Sequence, residues 1–268
     1  MVIMGQQHRK YGQAPFKVIL VHGGPGAVGE MAEVARELAA DYGIIESLHT
    51  GLTVQDQIDE LKSVILNECS IPVCLIGFSW GAWLCLLFSV QYGNLIGQLV
   101  LIGCGPLEAK YATEIYSTRL NRLNTNEKHQ FKILLDSLQN EILKDKNSTF
   151  RDLGKLIHKT DTFQAIRQRD KNVEIFPEVF TSVWKEAEQL RKNGILLEAI
   201  NKTELPIFVI HGDYDPHPIT GIIKPIQHHA RDFHYKIIDC CGHKPWIEKY
   251  ARNHFFRLLR EIIDHYPM

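Results

Sequence analysis

Apolar positions along the chain follow two distinct periods. Short unbroken apolar runs occur at Lys17-Val18-Ile19-Leu20-Val21, Ile44-Ile45, Val73-Cys74-Leu75-Ile76, Gln98-Leu99-Val100-Leu101-Ile102, Pro206-Ile207-Phe208-Val209-Ile210 and Tyr235-Lys236-Ile237-Ile238. Their β-branched and apolar content predicts strands, and the runs at 73–76 and 98–102 read as buried parallel ones. Between them, apolar residues recur at three- and four-residue spacing: Met31, Val34, Ala35 and Leu38; Val54, Ile58, Leu61 and Ile65; and Phe255, Leu258, Leu259, Ile262 and Tyr266. Those stretches predict helices, with one starting near Thr53 and ending before Pro72. Residues 1–16 are polar and lack a clear period, so a short arm or hairpin is expected there.

Strand and helix alternate up to about residue 106, which implies a mostly parallel sheet covered by helices on both faces. From about 107 to 204 the alternation stops. Helical patterns fall at 115–123, 127–143 and 178–194, no strand signal of comparable strength intervenes, and Lys146-Asn147-Ser148 suggests an internal loop. Alternation resumes at 206. The fold class is therefore α/β, with a core formed by 1–106 and 205–268 and a helical insertion at 107–204.

The apolar strand at 73–76 leads into Gly77-Phe78-Ser79-Trp80-Gly81, and a long apolar stretch from Ala82 to Phe88 follows. A serine between a buried strand and a buried helix, with glycine two residues away on each side, has the pattern of a nucleophile elbow. Such a turn strains the central residue and crowds its neighbours, so glycine fits at both flanks. The helix N-terminus then favours negative charge developing beside the hydroxyl. The first strand ends in a second candidate loop, His22-Gly23-Gly24-Pro25-Gly26. The backbone N–H groups of Gly24 and of Trp80, the residue after the serine, are the expected donors to an oxyanion.

A serine hydroxyl needs a base, and histidine has a reference pKa suited to the task. The chain has 13 histidines. His228, His229 and His265 fall on predicted helices and read as surface residues. His22 and His211 end strands at the sheet edge where sites form, and His22 is a candidate substrate contact. His243 follows the last strand, after Gly242, and is the preferred base. Asp213 and Asp215 both follow Ile210 and compete for the carboxylate that orients it.

Length and composition narrow the classes. The 268 residues suit one domain with an inserted subdomain, and 45% hydrophobic with 23% charged residues is ordinary for a globular chain. A formal net charge of −1 gives no sign of nucleic-acid or membrane binding. No apolar run approaches a membrane span, and Met1 to Lys10 lack the apolar core of a signal peptide. The six cysteines sit mostly among apolar neighbours without metal-ligand spacing, and read as reduced thiols of a cytoplasmic protein. No phosphate-loop pattern occurs. Neither a cofactor nor a metal is expected, and the partner is a small-molecule or short-peptide substrate.

The order Ser79, Asp, His243, together with the elbow and the glycine loop, resembles the α/β-hydrolase superfamily across nearly the whole chain. The pairing of His-Gly-Gly-Pro-Gly with Gly-x-Ser-Trp-Gly is similar to the prolyl iminopeptidase branch, which removes N-terminal proline from peptides. The resemblance implies that Asp215 is the acid, through a Gly-x-x-Asp pattern, and that 107–204 corresponds to a cap. The chain departs from the family pattern in one respect: the usual two leading strands have little room before Lys17, so a sheet shortened at its N-terminal edge is expected. Glu186 and Glu188, beside Trp184, become possible holders of a substrate amino group. The expected activity is acyl-enzyme hydrolysis of a small ester, thioester or amide. The alternatives are an aminopeptidase, or a binding protein that keeps the fold and senses its ligand.

Overall fold

The computed structural model describes residues 7–139, 146–166, 173–230 and 232–265. Residues 140–143 of one predicted helix, and Tyr266 of the last, lie outside them, as does the side chain of His229. In chain order the elements are β1 (His8–Tyr11), β2 (Phe16–Val21), β3 (Ala27–Val28), α1 (Ala32–Leu38), β4 (Gly43–Ser47), α2 (Val54–Glu68), β5 (Val73–Phe78), α3 (Trp80–Tyr92), β6 (Ile96–Ile102), α4 (Ala112–Asn121), α5 (Thr125–Gln139), α6 (Lys146–Asp161), β7 (Glu174–Ile175), α7 (Pro177–Lys192), α8 (Ile195–Lys202), β8 (Ile207–Gly212), α9 (Thr220–His229), β9 (Phe233–Ile238) and α10 (Arg252–His265).

Seven strands form one sheet in the order β1-β4-β2-β5-β6-β8-β9. All neighbours are parallel except β1, which runs antiparallel to β4 at the edge. Among the described residues one strand, β1, precedes β2, in the stretch where the sequence predicts a short arm or hairpin. Its polar residues suit an edge: Lys10 pairs with Glu68 at 2.6 Å and the Tyr11 hydroxyl donates to Glu46 at 2.8 Å.

The two-residue alternation within each strand sorts the core into two layers. Ile19, Val21, Leu75, Leu99, Leu101 and Val209 face a cluster shared with α2, α3, α8 and α9. Val18, Leu20, Ile76, Val100, Ile102 and Ile210 face the other layer, with α1 and α10. Fully burying each such side chain contributes about 1.5–3 kcal/mol. Helix α3 is buried without interruption from Trp80 to Ser89, which accounts for its apolar surface all round. Helix α2 starts at Thr53 with a reciprocal capping box to Asp56. No described helix is long and apolar enough to cross a membrane.

Among the described residues between β6 and β8 the regular elements are helices apart from β7, which pairs with β3 over two residues. The loop expected at Lys146-Asn147-Ser148 is instead the start of α6. Leu153 and Leu156 of that helix pack with Leu123 and with Phe131 of α5 in a separate small cluster, so tertiary contact overrides the local loop signal. Helices α7 and α8 do not join that cluster. Val179, Val183, Ala187, Leu196 and Ile200 are part of the core beside α3.

Candidate active site

Ser79 sits between β5 and α3 with φ 53° and ψ −113°, a strained conformation for a residue with a side chain. Sheet and helix together hold it. Its N–H donates to the Ile102 carbonyl at 2.9 Å and its carbonyl accepts from Ala82 at 3.1 Å. The flanking glycines are demanded by close backbone approach. A Cβ on Gly77 would lie 2.3 Å from the Gly81 carbonyl oxygen, and one on Gly81 would lie 2.5 Å from that of Val21.

Asp215 and His243 come together from the loops after β8 and β9. His243 Nδ1 donates to Asp215 Oδ2 at 2.7 Å. The Asp215 side chain is fully buried. Burial alone would raise its pKa, but the surrounding histidines and hydrogen bonds hold the carboxyl well below the usual range, so it is charged. Asp213 does different work: its Oδ1 accepts the Cys241 N–H at 3.0 Å and braces the two loops. The competition between the two aspartates is thereby resolved in favour of Asp215 as the partner of His243.

His217 is a group that the sequence reading missed. Its Nδ1 donates to the other oxygen of Asp215 at 2.6 Å, and its ring stacks on that of His243 with centroids 4.4 Å apart. Burial, with His243 nearby, lowers its pKa to about 4 despite the adjacent carboxylate, so it is neutral near pH 7. The spacing Asp-x-His in a loop was its only signal. The three ligand-capable atoms of Asp215, His217 and His243 lie within 4.8 Å of one another. Two of those groups already satisfy the aspartate by direct hydrogen bonds.

Helices α4 and α6 brace the His243 loop. Arg119 grips Asp161 through two nitrogens, at 2.9 and 2.5 Å, and the Asp161 carbonyl accepts the His243 N–H at 2.7 Å. A Cβ on Gly242 would lie 2.1 Å from that same carbonyl, so the glycine serves this close approach. Glu248 accepts from Gly242, Phe163 and Gln164. The Phe78 ring lies against His243, with centroids 4.8 Å apart.

Ser79, His243, His217, Gly24 and Trp80 line one cavity of about 1740 Å³. Gly24 has φ +39° and turns the loop back on itself, its carbonyl accepting from Ala27 at 2.9 Å. The Trp80 indole donates to Gln57 at 3.0 Å, while its backbone N–H belongs to the first turn of α3, where no intrahelical acceptor exists.

Two expected substrate contacts are corrected. His22 is 0% exposed and does not line the cavity. Its Nδ1 donates to the Gly23 carbonyl at 2.8 Å and its Nε2 accepts from the His49 N–H at 3.1 Å, so it holds the glycine loop in place. Glu186 accepts the Val54 N–H at 2.8 Å and caps α2. Glu188 and Trp184 do line the cavity.

Solved structures share this arrangement of strands and helices. VinJ is 16% identical with a TM-score of 0.70, over 99% of this chain and 98% of that one. A monoacylglycerol lipase from Paleococcus ferrophilus is 14% identical with a TM-score of 0.62, over 97% and 98%. CarC, a serine hydrolase involved in carbazole degradation, is 22% identical with a TM-score of 0.61, over 96% and 94%.

The chain has the α/β-hydrolase fold.

No family model and no curated protein matches the sequence. In this fold the C-terminal ends of the parallel strands form the site edge, and Ser79, Asp215 and His243 follow β5, β8 and β9 at that edge.

Proposed function

We propose that the protein is a serine hydrolase that cleaves a small ester, thioester or amide through an acyl-enzyme. One observation carries the reading: His243 is tethered to the buried Asp215 and shares a cavity with a serine on a strained elbow. His243 takes the Ser79 proton as the oxygen attacks the carbonyl. The oxyanion is met by the backbone N–H groups of Trp80 and Gly24. His243 then protonates the leaving group, and water repeats the sequence on the acyl-enzyme. The six unpaired cysteines support a reducing, cytoplasmic setting.

The similar structures include proteins described as a lipase and a serine hydrolase, which favours hydrolysis over ligand sensing. The prolyl iminopeptidase reading is narrower and has less support. Of its two candidate glutamates, Glu186 is committed to capping α2, which leaves Glu188 at the cavity. Turnover of a proline arylamide, its N-blocked form and a short-chain aryl ester separates these activities. An aminopeptidase requires the free amine, whereas an esterase is indifferent to it. In either case Ser79→Ala should lower kcat by roughly a millionfold. Near wild-type rates in that variant on every accepted substrate would end the proposal.

A further inference from the structure

Arg191, on α7, lines the same cavity yet takes no part in the chemistry above. It is 8% exposed, and its Nε is buried without a hydrogen-bond partner. Among the described residues no carboxylate forms an ion pair with its side chain, although Glu188 acts on it through space. The guanidinium lies over the Trp83 ring, 5.3 Å from its centroid. That wall is rigid. Trp83 donates to the Gly105 carbonyl at 3.0 Å and stacks on Trp184 at 6.0 Å and 7°, and Trp184 stacks on Phe180 at 5.9 Å.

A guanidinium whose Nε–H is buried without an acceptor is costly, because that donor has left water and nothing replaces it, while its remaining N–H groups are left at the cavity. Burial accordingly pulls its pKa down. The cost is offset when a ligand anion completes the group, and a planar fork that is partly desolvated and held against an aromatic ring suits a carboxylate. The neighbouring charge of Glu188 leaves a site for one negative charge and disfavours a head group that carries two, such as a phosphomonoester, while a second charge at the far end of a carbon chain lies outside it. Trp83 lies four residues beyond Ser79 along α3, roughly 6 Å of helix rise. The stacked indoles of Trp83 and Trp184 line the same cavity and offer apolar surface for a carbon chain.

Resting on the hydrolase reading, we propose that Arg191 anchors a carboxylate carried by the substrate away from the scissile bond, so that the enzyme acts on esters, thioesters or amides bearing a free acid on a carbon chain.

The test has two arms. In the first, straight-chain dicarboxylic acids of four to eight carbons and their uncharged diamides are titrated into the Ser79→Ala protein, with tryptophan fluorescence as the signal. One or more of the acids should bind about 10- to 100-fold more tightly than its diamide. Arg191→Gln in that background should remove the difference, and Arg191→Lys should keep part of it. Thermal melts confirm that each variant is folded, and the comparison of acid with amide in the Arg191 protein needs no substitution there. In the second arm, esters with a free carboxylate on the acyl or alcohol side are compared with their methyl-capped counterparts, and kcat/KM should favour the free acid by a similar factor. Equal binding of acid and amide at every chain length, or a preference that survives Arg191→Gln, overturns the proposal. An unreactive Ser79 with intact acid selectivity would remove the hydrolase reading and leave the anion site. Activity without acid selectivity would do the reverse.

Discussion

Lowering the pH from 7 to 4.5 should weaken this protein before most of its carboxylates titrate, and His22 is a principal cause. The ring is 0% exposed, and its Nε2 accepts from the His49 N–H, so that nitrogen carries no proton. Protonation would set two donors against each other and place a charge in the core. Burial, with a smaller contribution from His49, holds the pKa at about 4 against a reference of 6.5. The folded-state value is the lower one, so between these limits the unfolded chain binds more protons than the folded one. Stability is fully present above about pH 6.5, falls as the pH drops, and levels off below about 4. The accumulated loss from this one residue is about 3 kcal/mol, with a slope of roughly 1 kcal/mol per pH unit near pH 5. Urea melts of the wild type and His22→Asn at four values between pH 7.5 and 4.5 isolate the contribution. The variant starts less stable, because the Gly23 and His49 hydrogen bonds are disturbed, but its stability declines less steeply by that slope. Parallel curves for the two proteins would refute the assignment of a neutral, doubly hydrogen-bonded His22.

Other substitutions separate bracing from chemistry. Asp215→Asn should lower kcat about 10⁴-fold by disturbing the His243 tautomer, whereas Asp213→Asn, which keeps an acceptor for Cys241, should cost less than about tenfold. Arg119→Met leaves Asp161 buried without its partner and should destabilise the fold by about 3–5 kcal/mol in urea melts. Gly81→Ala drives a methyl group into the Val21 and His22 carbonyls and should lower stability by about 3 kcal/mol, with loss of activity in the soluble fraction.

The elements that could be read in the sequence were those whose signal is local. The central parallel strands announced themselves because both of their faces are buried, whereas the edge strand β9 is largely exposed; the elbow glycines did so because only glycine fits where β5, α3 and β2 meet. His243 was identifiable from its place after the last strand. Features that depend on distant partners were not visible. His8 to Tyr11 form a strand although they are polar, because β4 offers an edge and Glu46 and Glu68 offer counter-charges. The polar start of α6 looked like a loop until α5 supplied the face it packs against. Spacing could not choose between Asp213 and Asp215, since the choice rests on which carboxylate meets an imidazole 28 residues later. His22 drew attention for the right loop and the wrong reason: it supports the glycine backbone from behind and does not reach the cavity. Arg191 gave no sign at all, since a lone arginine on a helix reads as solvated until the packing around it is known.

In the proposed mechanism His243, held by Asp215, activates Ser79. Treatment with a fluorophosphonate followed by peptide mapping tests it most directly. A single covalent adduct on Ser79 is expected, formed at least about a thousandfold more slowly in folded His243→Ala protein. An adduct on another residue, or labelling of Ser79 at an unchanged rate without His243, would contradict it.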